Sequence, residues 1–243
     1  MTAFSLGTID FNTGVADADG IVWYGYVDGW DAMSHEIEEI FRPAQHGGIL
    51  TSNLYSPKGM TVYGTAVGVN STDYYLAKNK ILTETNVLTQ FGTPELFLEV
   101  TEEVDRRMSI LRTGYQAECV ETLHLQFEMT IRADDPFKYT TAPDTLVTSG
   151  VAANGGNTTT YPTWTSSGAG IPVLGLGSRT VQGLSSIPSG TVIDFGRMTV
   201  LDGTVNYFGN MDPASDFFGL APGNNTLTST GVAGTWSWRD AWL

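Results

Sequence analysis

From Glu121 to Ala133 apolar and polar residues alternate almost without a break. Leu123, Leu125, Phe127, Met129, Ile131 and Ala133 hold the odd positions; Thr122, His124, Gln126, Glu128, Thr130 and Arg132 hold the even ones. A period of two is the mark of a strand with one buried face and one wet face. A slip of one residue would turn every large apolar chain to water, so the register is firmly set. The run ends in Ala133-Asp134-Asp135-Pro136. Adjacent strand residues point to opposite faces, so these two carboxylates cannot flank one scissile bond. Pro136 biases Asp135 toward extended backbone and removes a ladder donor. Asp134, Asp135 and Pro136 therefore read as a structural joint.

Composition changes at that joint. Residues 1–139 carry 29 of the Asp, Glu, Lys and Arg side chains and residues 140–243 only nine; the last lysine is Lys138 and the last glutamate Glu128. Such a shift marks a domain boundary, placed here between residues 1–136 and 137–243. The formal net charge of −14 disfavours a role that grips phosphates, which requires lysine and arginine. A single cysteine, Cys119, excludes an internal disulfide and any multi-cysteine metal site, and in "QAECVETLHLQF" it reads as a buried, inert thiol. The start "MTAFSLGTIDFNTG" has no basic n-region and no apolar run is long enough to span a bilayer, so a secretory signal and membrane insertion are not expected.

The first part reads as mostly strands, with turns at "DADG" (17–20), "QHGG" and "SPKG". One helix is expected in "STDYYLAKNKILTETNVLTQFG". Ser71, Thr72 or Asp73 would cap it, Leu76, Ile81, Leu82 and Leu88 would form its apolar stripe, and Gly92–Pro94 would end it. "HEIEEIF" suits either a helical turn or a strand. After residue 140 short strands alternate with turns about every 8–12 residues, the pattern of an antiparallel β-sandwich. No helix of any length is expected there, and the Gly/Thr-rich stretch 148–168 reads as loop and edge material. The fold class is thus mainly β.

Catalytic signatures are missing. His35, His46 and His124 lack metal-binding spacing. "DADG" opens like a calcium loop but has no third acidic ligand and no distal glutamate. No nucleophile elbow, P-loop or dinucleotide fingerprint occurs. No enzyme activity, cofactor or metal is expected. In "TWSWRDAWL", Trp236, Trp238 and Trp242 share strand parity. A terminal strand packing its indoles into a core is the main reading; an exposed row that stacks on sugar rings is the alternative.

These parts in this order resemble the distal tail protein family of long-tailed, siphovirus-type bacteriophages. The similar stretches are "DADGIVWYGYVDGWD", "HGG" before "LYSPKGMTVYGTA", the helix at 73–90 and "FEMTIRADDPFKY". Further along come "NGGNTTTYPTW", "VIDFGRMTV", the L-x-P-G-x-N core (Leu220, Pro222, Gly223, Asn225) and "WSWRDAWL". The resemblance implies a short form of the family: an N-terminal β-rich, ring-forming belt domain with one helix, then a galectin-like antiparallel β-sandwich. It implies a structural virion protein made in the host cytoplasm and located at the phage tail tip. Its expected partners are copies of itself in a hexameric hub ring, the tail tube protein and tail-tip or baseplate hub proteins. DNA would pass the channel without specific binding. The alternative function is a carbohydrate-binding module that engages host surface glycans through the C-terminal sandwich.

Overall fold

The computed structural model describes residues 2–32, 35–41, 48–68, 73–85, 96–121 and 124–243. They form two compact units, Met1–Lys138 and Tyr139–Leu243. The division falls after Lys138; the Phe137 side chain meets Tyr55, and the Lys138 side chain meets Trp30 and Asp31, all in the first unit.

Unit 1 contains β1 (Phe4–Leu6), β2 (Ile9–Phe11), β3 (Val22–Asp28), β4 (His35–Phe41), β5 (Gly48–Tyr55), β6 (Lys58–Val67), α1 (Asp73–Thr85), β7 (Leu96–Val100), β8 (Arg106–Glu121) and β9 (His124–Ala133). A short β10 (Lys138–Thr140) follows. The main sheet runs in the order β2-β1-β7-β8-β9-β6-β3, and β4 and β5 form a separate hairpin. Asn12 joins the two ends of that path. Its backbone N–H donates to the Trp23 carbonyl at 2.9 Å, its Nδ2 donates to the Gly25 carbonyl at 2.7 Å, and its Oδ1 accepts from the Gly25 N–H at 3.0 Å. An asparagine side chain thus stands in for strand backbone, at φ 63°, a conformation asparagine tolerates better than most residues.

The odd residues of β9 are the centre of the core: Leu125, Phe127, Met129, Ile131 and Ala133 are all buried, with Phe4, Phe11, Trp23, Leu98 and Met108 around them. The alternation does set this face, but not over its whole expected length. Glu121 ends β8 and pairs with His124 at the head of β9, so the chain has already reversed between them, and Leu123 lies outside the described residues. "HEIEEIF" is a strand, β4, with an irregularity between Glu38 and Glu39.

Helix α1 is present, with Ala77 and Ile81 in the core. Its buried stripe is Ala77, Ile81 and Thr85, spaced four apart; Leu76 is exposed. The larger side chain at 76 does not win because the i, i+4, i+8 positions already face the sheet. The caps Ser71 and Thr72, and Leu88 and Gly92–Pro94, lie outside the described residues. Cys119 is exposed, contrary to expectation. It sits opposite Leu125, on the core side, but β8 has by then run past the core, and Glu118 and Val120 are exposed as well.

Unit 2 is a sandwich of two antiparallel sheets. The elements are β11 (Asp144–Val147), β12 (Gly150–Asn154), β13 (Thr163–Ser166), β14 (Val173–Leu176), β15 (Arg179–Gln182), β16 (Val192–Asp194), β17 (Thr199–Asp202), β18 (Val205–Asn206), β19 (Gly223–Thr230), β20 (Gly234–Trp238) and β21 (Ala241–Trp242). One sheet is β11-β20-β13-β16-β17-β18, the other β12-β19-β14-β15. Trp164, Ile193, Val200 and Trp236 from the first meet Ala152, Leu174, Val181 and Leu227 from the second. The only helical element described here is the 3₁₀ turn Phe208–Asn210. Within the Gly/Thr-rich stretch, β13 is an interior strand, not edge material, because Trp164 on it is fully buried.

Candidate functional site: a buried lysine pair and an acidic sheet face

The stretches "DGWD", "SPKG" and "ADDPFK" are far apart in sequence and meet in one cluster of unit 1. Gly29, at φ 86°, turns the chain after β3; a Cβ there would come within 3.0 Å of the Gly59 carbonyl, so glycine lets the turn lie against the start of β6. This presents Trp30, which is buried. Lys58 donates from its ammonium to the Trp30 carbonyl, and Lys138 forms an ion pair with Asp31. The two ammonium groups lie over the Trp30 ring, at 5.8 Å for Lys58 and 5.0 Å for Lys138. The indole N–H donates to Glu102 Oε1 at 2.6 Å, and Glu102 also pairs with Arg106 at 2.6 Å.

Charge is unevenly balanced in this cluster. The hydrogen bond from Lys138 holds the Asp31 carboxyl below its ordinary value. Burial pushes the Lys58 ammonium down to about 8, and repulsion from Lys138 adds to the effect.

The joint itself is built of local contacts. Asp134 pairs with Arg132 at 2.8 Å, and Asp135 Oδ1 accepts the Phe137 N–H at 3.1 Å. Phe137 meets Tyr55 edge-on, with ring centroids 5.4 Å apart. The two carboxylates thus have separate structural contacts.

"DADG" folds as a turn. Asp17 accepts the backbone N–H groups of Asp19 and Ile21 at 2.9 and 3.0 Å, and the Trp23 indole and Lys80 at 2.8 Å each. Lys80, from α1, also reaches Asp19 at 2.8 Å, so an ammonium group sits among these carboxylates. Burial works to raise the Asp17 pKa, but the hydrogen bonds from Lys80, Trp23 and the backbone outweigh it and the net shift is downward. Among the described residues no group of three His, Cys, Asp or Glu side chains is arranged to hold a metal ion.

The outer face of β3-β6-β9-β8 is the second feature. Cross-strand pairing sets Tyr24, Thr65, Gln126 and Glu118 in one row and Tyr26, Tyr63, Glu128 and Gln116 in the next. Tyr26 and Tyr63 stack at 5.0 Å, and Gln116 donates to Glu128 at 2.7 Å. Asp28 extends the acidic set. Glu128 is the first cause of an upward shift at the Tyr63 hydroxyl. Further along β9 on the same face, Arg132 is engaged by Asp134.

In unit 2 the tryptophans do not form an exposed row. Trp236 is fully buried and Trp238 nearly so, and the Trp238 indole donates to the Ala153 carbonyl at 2.9 Å. The parity breaks between β20 and β21: Ala241 is buried and Trp242 is half-buried. The L-x-P-G-x-N stretch turns into the start of β19 and is closed by Asn225, whose Oδ1 accepts the Ala221 N–H at 3.1 Å. Its Nδ2 donates to the carbonyls of Ala221 and Gly223 at 2.8 and 2.9 Å.

Nothing in the sequence pattern ties Trp30, Lys58 and Lys138 to one another. The signal available was a lysine next to a turn in each of two otherwise cation-poor stretches.

No family model and no curated protein matches the sequence. Solved structures do match. The Dit protein of phage SPP1, described as a paradigm of the hub adsorption apparatus in phages that infect Gram-positive bacteria, aligns with a TM-score of 0.70 at 17% identity and covers 100% of both chains. Chains from the phage P2 baseplate in its activated conformation, one structure with calcium and one with strontium, align with a TM-score of 0.57 at 9% identity and cover 98% of each chain. Along its whole length, the chain has the fold of the SPP1 Dit hub protein.

Proposed function

We propose that this chain is the subunit of a hub ring at the distal end of a long-tailed phage tail, a structural part and not an enzyme. The ring would join the last ring of the tail tube to tip or baseplate proteins. Full-length likeness in fold to a hub protein and to baseplate chains supports the reading. The observation in this chain that carries it is the outer face of β3-β6-β9-β8. Asp28, Glu118 and Glu128 stand there among tyrosine, threonine and glutamine, against one arginine already paired. A duplex passing such a wall is repelled by it, not held. This is the surface needed along a channel that DNA crosses without specific binding. At its border β3 pairs with β6 on one side and has Trp23 and Gly25 bonded to Asn12 on the other, so a neighbouring copy that adds to this edge would pair with the part of β3 beyond Gly25. Head-to-tail contacts of that kind close into rings.

The carbohydrate-binding alternative places the sugar on the C-terminal sandwich; with Trp236 and Trp238 buried, it would need a surface other than an indole row. Negative-stain imaging and native mass spectrometry of the purified chain, alone and with tail tube protein, test the hub reading. A closed ring near six copies is expected. A monomer in both conditions, or a ring whose lumen is lined by lysine and arginine, would overturn it.

A further inference from the structure

Lys58 and Lys138 are both buried, at 5% and 3% exposure. A buried ammonium group is costly unless a carboxylate and hydrogen bonds meet it. Lys138 has Asp31. Lys58 donates to a neutral acceptor, the Trp30 carbonyl. The charged groups that act on it are Lys138 at the end of the unit, Asp31 after β3 and Glu102 after β7, with Arg106 at the start of β8 acting on Asp31. Both carboxylates already have partners, Asp31 in Lys138 and Glu102 in Arg106 and the Trp30 indole. Of the three cations, Lys58 is thus the one whose hydrogen bond goes to a neutral acceptor, while Lys138 and Arg106 each reach a carboxylate.

We propose that Lys58 acts as a proton-operated latch on the segment Pro136–Lys138, which leads into unit 2. With Lys58 neutral, the repulsion between the two lysines vanishes and Lys138 stays seated on Trp30 and Asp31. With Lys58 charged, local opening gains the hydration of an ammonium group, so the segment releases more often. Burial and the Lys138 charge hold Lys58 near 8 in the closed form, whereas its ordinary value is 10.5. Opening therefore takes up a proton. Closure is at its weakest, and independent of pH, below about 8, and it strengthens as pH climbs from there toward 10.5.

The test is amide hydrogen exchange on the intact chain at residues 29–32 and 137–140, corrected for intrinsic rates. It is paired with NMR titration of ¹³Cε-labelled lysines. Protection should rise by about tenfold from pH 7 to pH 9.5, a conservative reading of a displacement worth a factor of ten per pKa unit. Lys58→Met should be protected throughout and lose the pH dependence; Lys58→Arg should be loose throughout and also lose it. Flat protection in the natural chain, or the same slope in Lys58→Met, overturns the latch. Should Lys58→Met not fold, the lysine titration decides: a Lys58 midpoint near 8 supports the latch and one near 10.5 ends it.

Discussion

Phe127 lies across Gly64, its partner on the neighbouring strand, and a Cβ built at position 64 would come to 2.2 Å from the ring. Gly64 in turn faces Gly25 on β3, where a Cβ would meet the Tyr63 carbonyl at 2.6 Å and the rings of Phe11 and Phe4 at 3.2 Å. Gly64 thus leaves the space that the Phe127 ring fills, within reach of Phe11, Trp23 and Tyr115, and Gly25 beside it leaves room for Phe11 and Phe4. Gly64→Ala is expected to destabilise unit 1 by about 3 kcal/mol, since an overpacked core must shift backbone or ring. Denaturant unfolding followed by tryptophan fluorescence measures it, and a loss below about 0.5 kcal/mol would mean that the ring moves freely aside.

That relationship also shows what the sequence made legible. The alternation in β9 gives the inward face of Phe127 directly, because period two is a local property. The glycine opposite it is legible only once the register of β6 against β9 is known, and register between distant strands is set by the assembled core. Leu76 fails for a similar reason: helical spacing defines several candidate stripes, and the sheet chooses the one through Ala77 and Ile81. Trp236 was ambiguous because parity places an indole on a face without saying whether that face is covered. The Lys58 and Lys138 pair lay furthest from reach, since 80 positions separate two lysines that share one ring.

Asp17 makes stability depend on pH. Its folded carboxyl titrates below the ordinary value of 3.8, so the folded chain gives up the proton more readily than the unfolded one. The stabilisation is fully present above the unfolded value and is lost as pH falls through the folded one. Asp17→Asn should therefore lower the melting temperature most at pH 7, with the gap to the natural chain closing toward strong acid. Lys80→Met should show the same convergence in scanning calorimetry, since it removes the ammonium group that engages Asp17 and Asp19. A gap that stays constant across the acid range would show that Asp17 acts through shape alone.

Thr148 sits at the turn between β11 and β12 with φ 62°, a left-handed conformation that is strained for a β-branched residue. Its N–H still donates to the Gly234 carbonyl at 3.0 Å, a bond that holds the turn and that glycine would keep. Thr148→Gly is expected to stabilise unit 2 by about 1 kcal/mol, with strain relief exceeding the added freedom of the unfolded chain. Thermal melting of the full chain would register it; a loss of stability would assign the Thr148 hydroxyl, which donates to the Val147 carbonyl at 2.6 Å, more weight than the strain.

Trp236 decides between a core and a sugar platform. Its ring lies 5.5 Å from Phe195 and 6.2 Å from Phe218, and it is paired across the sheet with Trp164, which is also fully buried. Removing it leaves a cavity between the two sheets, at a cost of about 4 kcal/mol, a large share of what a domain this size has in reserve. Trp236→Ala should therefore unfold unit 2 or lower its melting temperature sharply, visible as lost near-ultraviolet dichroism and faster proteolysis beyond residue 139. Trp242→Ala, at a half-buried position on β21, should cost far less. Were Trp236→Ala instead to leave the melting curve unchanged while abolishing retention on a glycan array, the indole would have to reach solvent, and the sandwich would be a sugar-binding module after all.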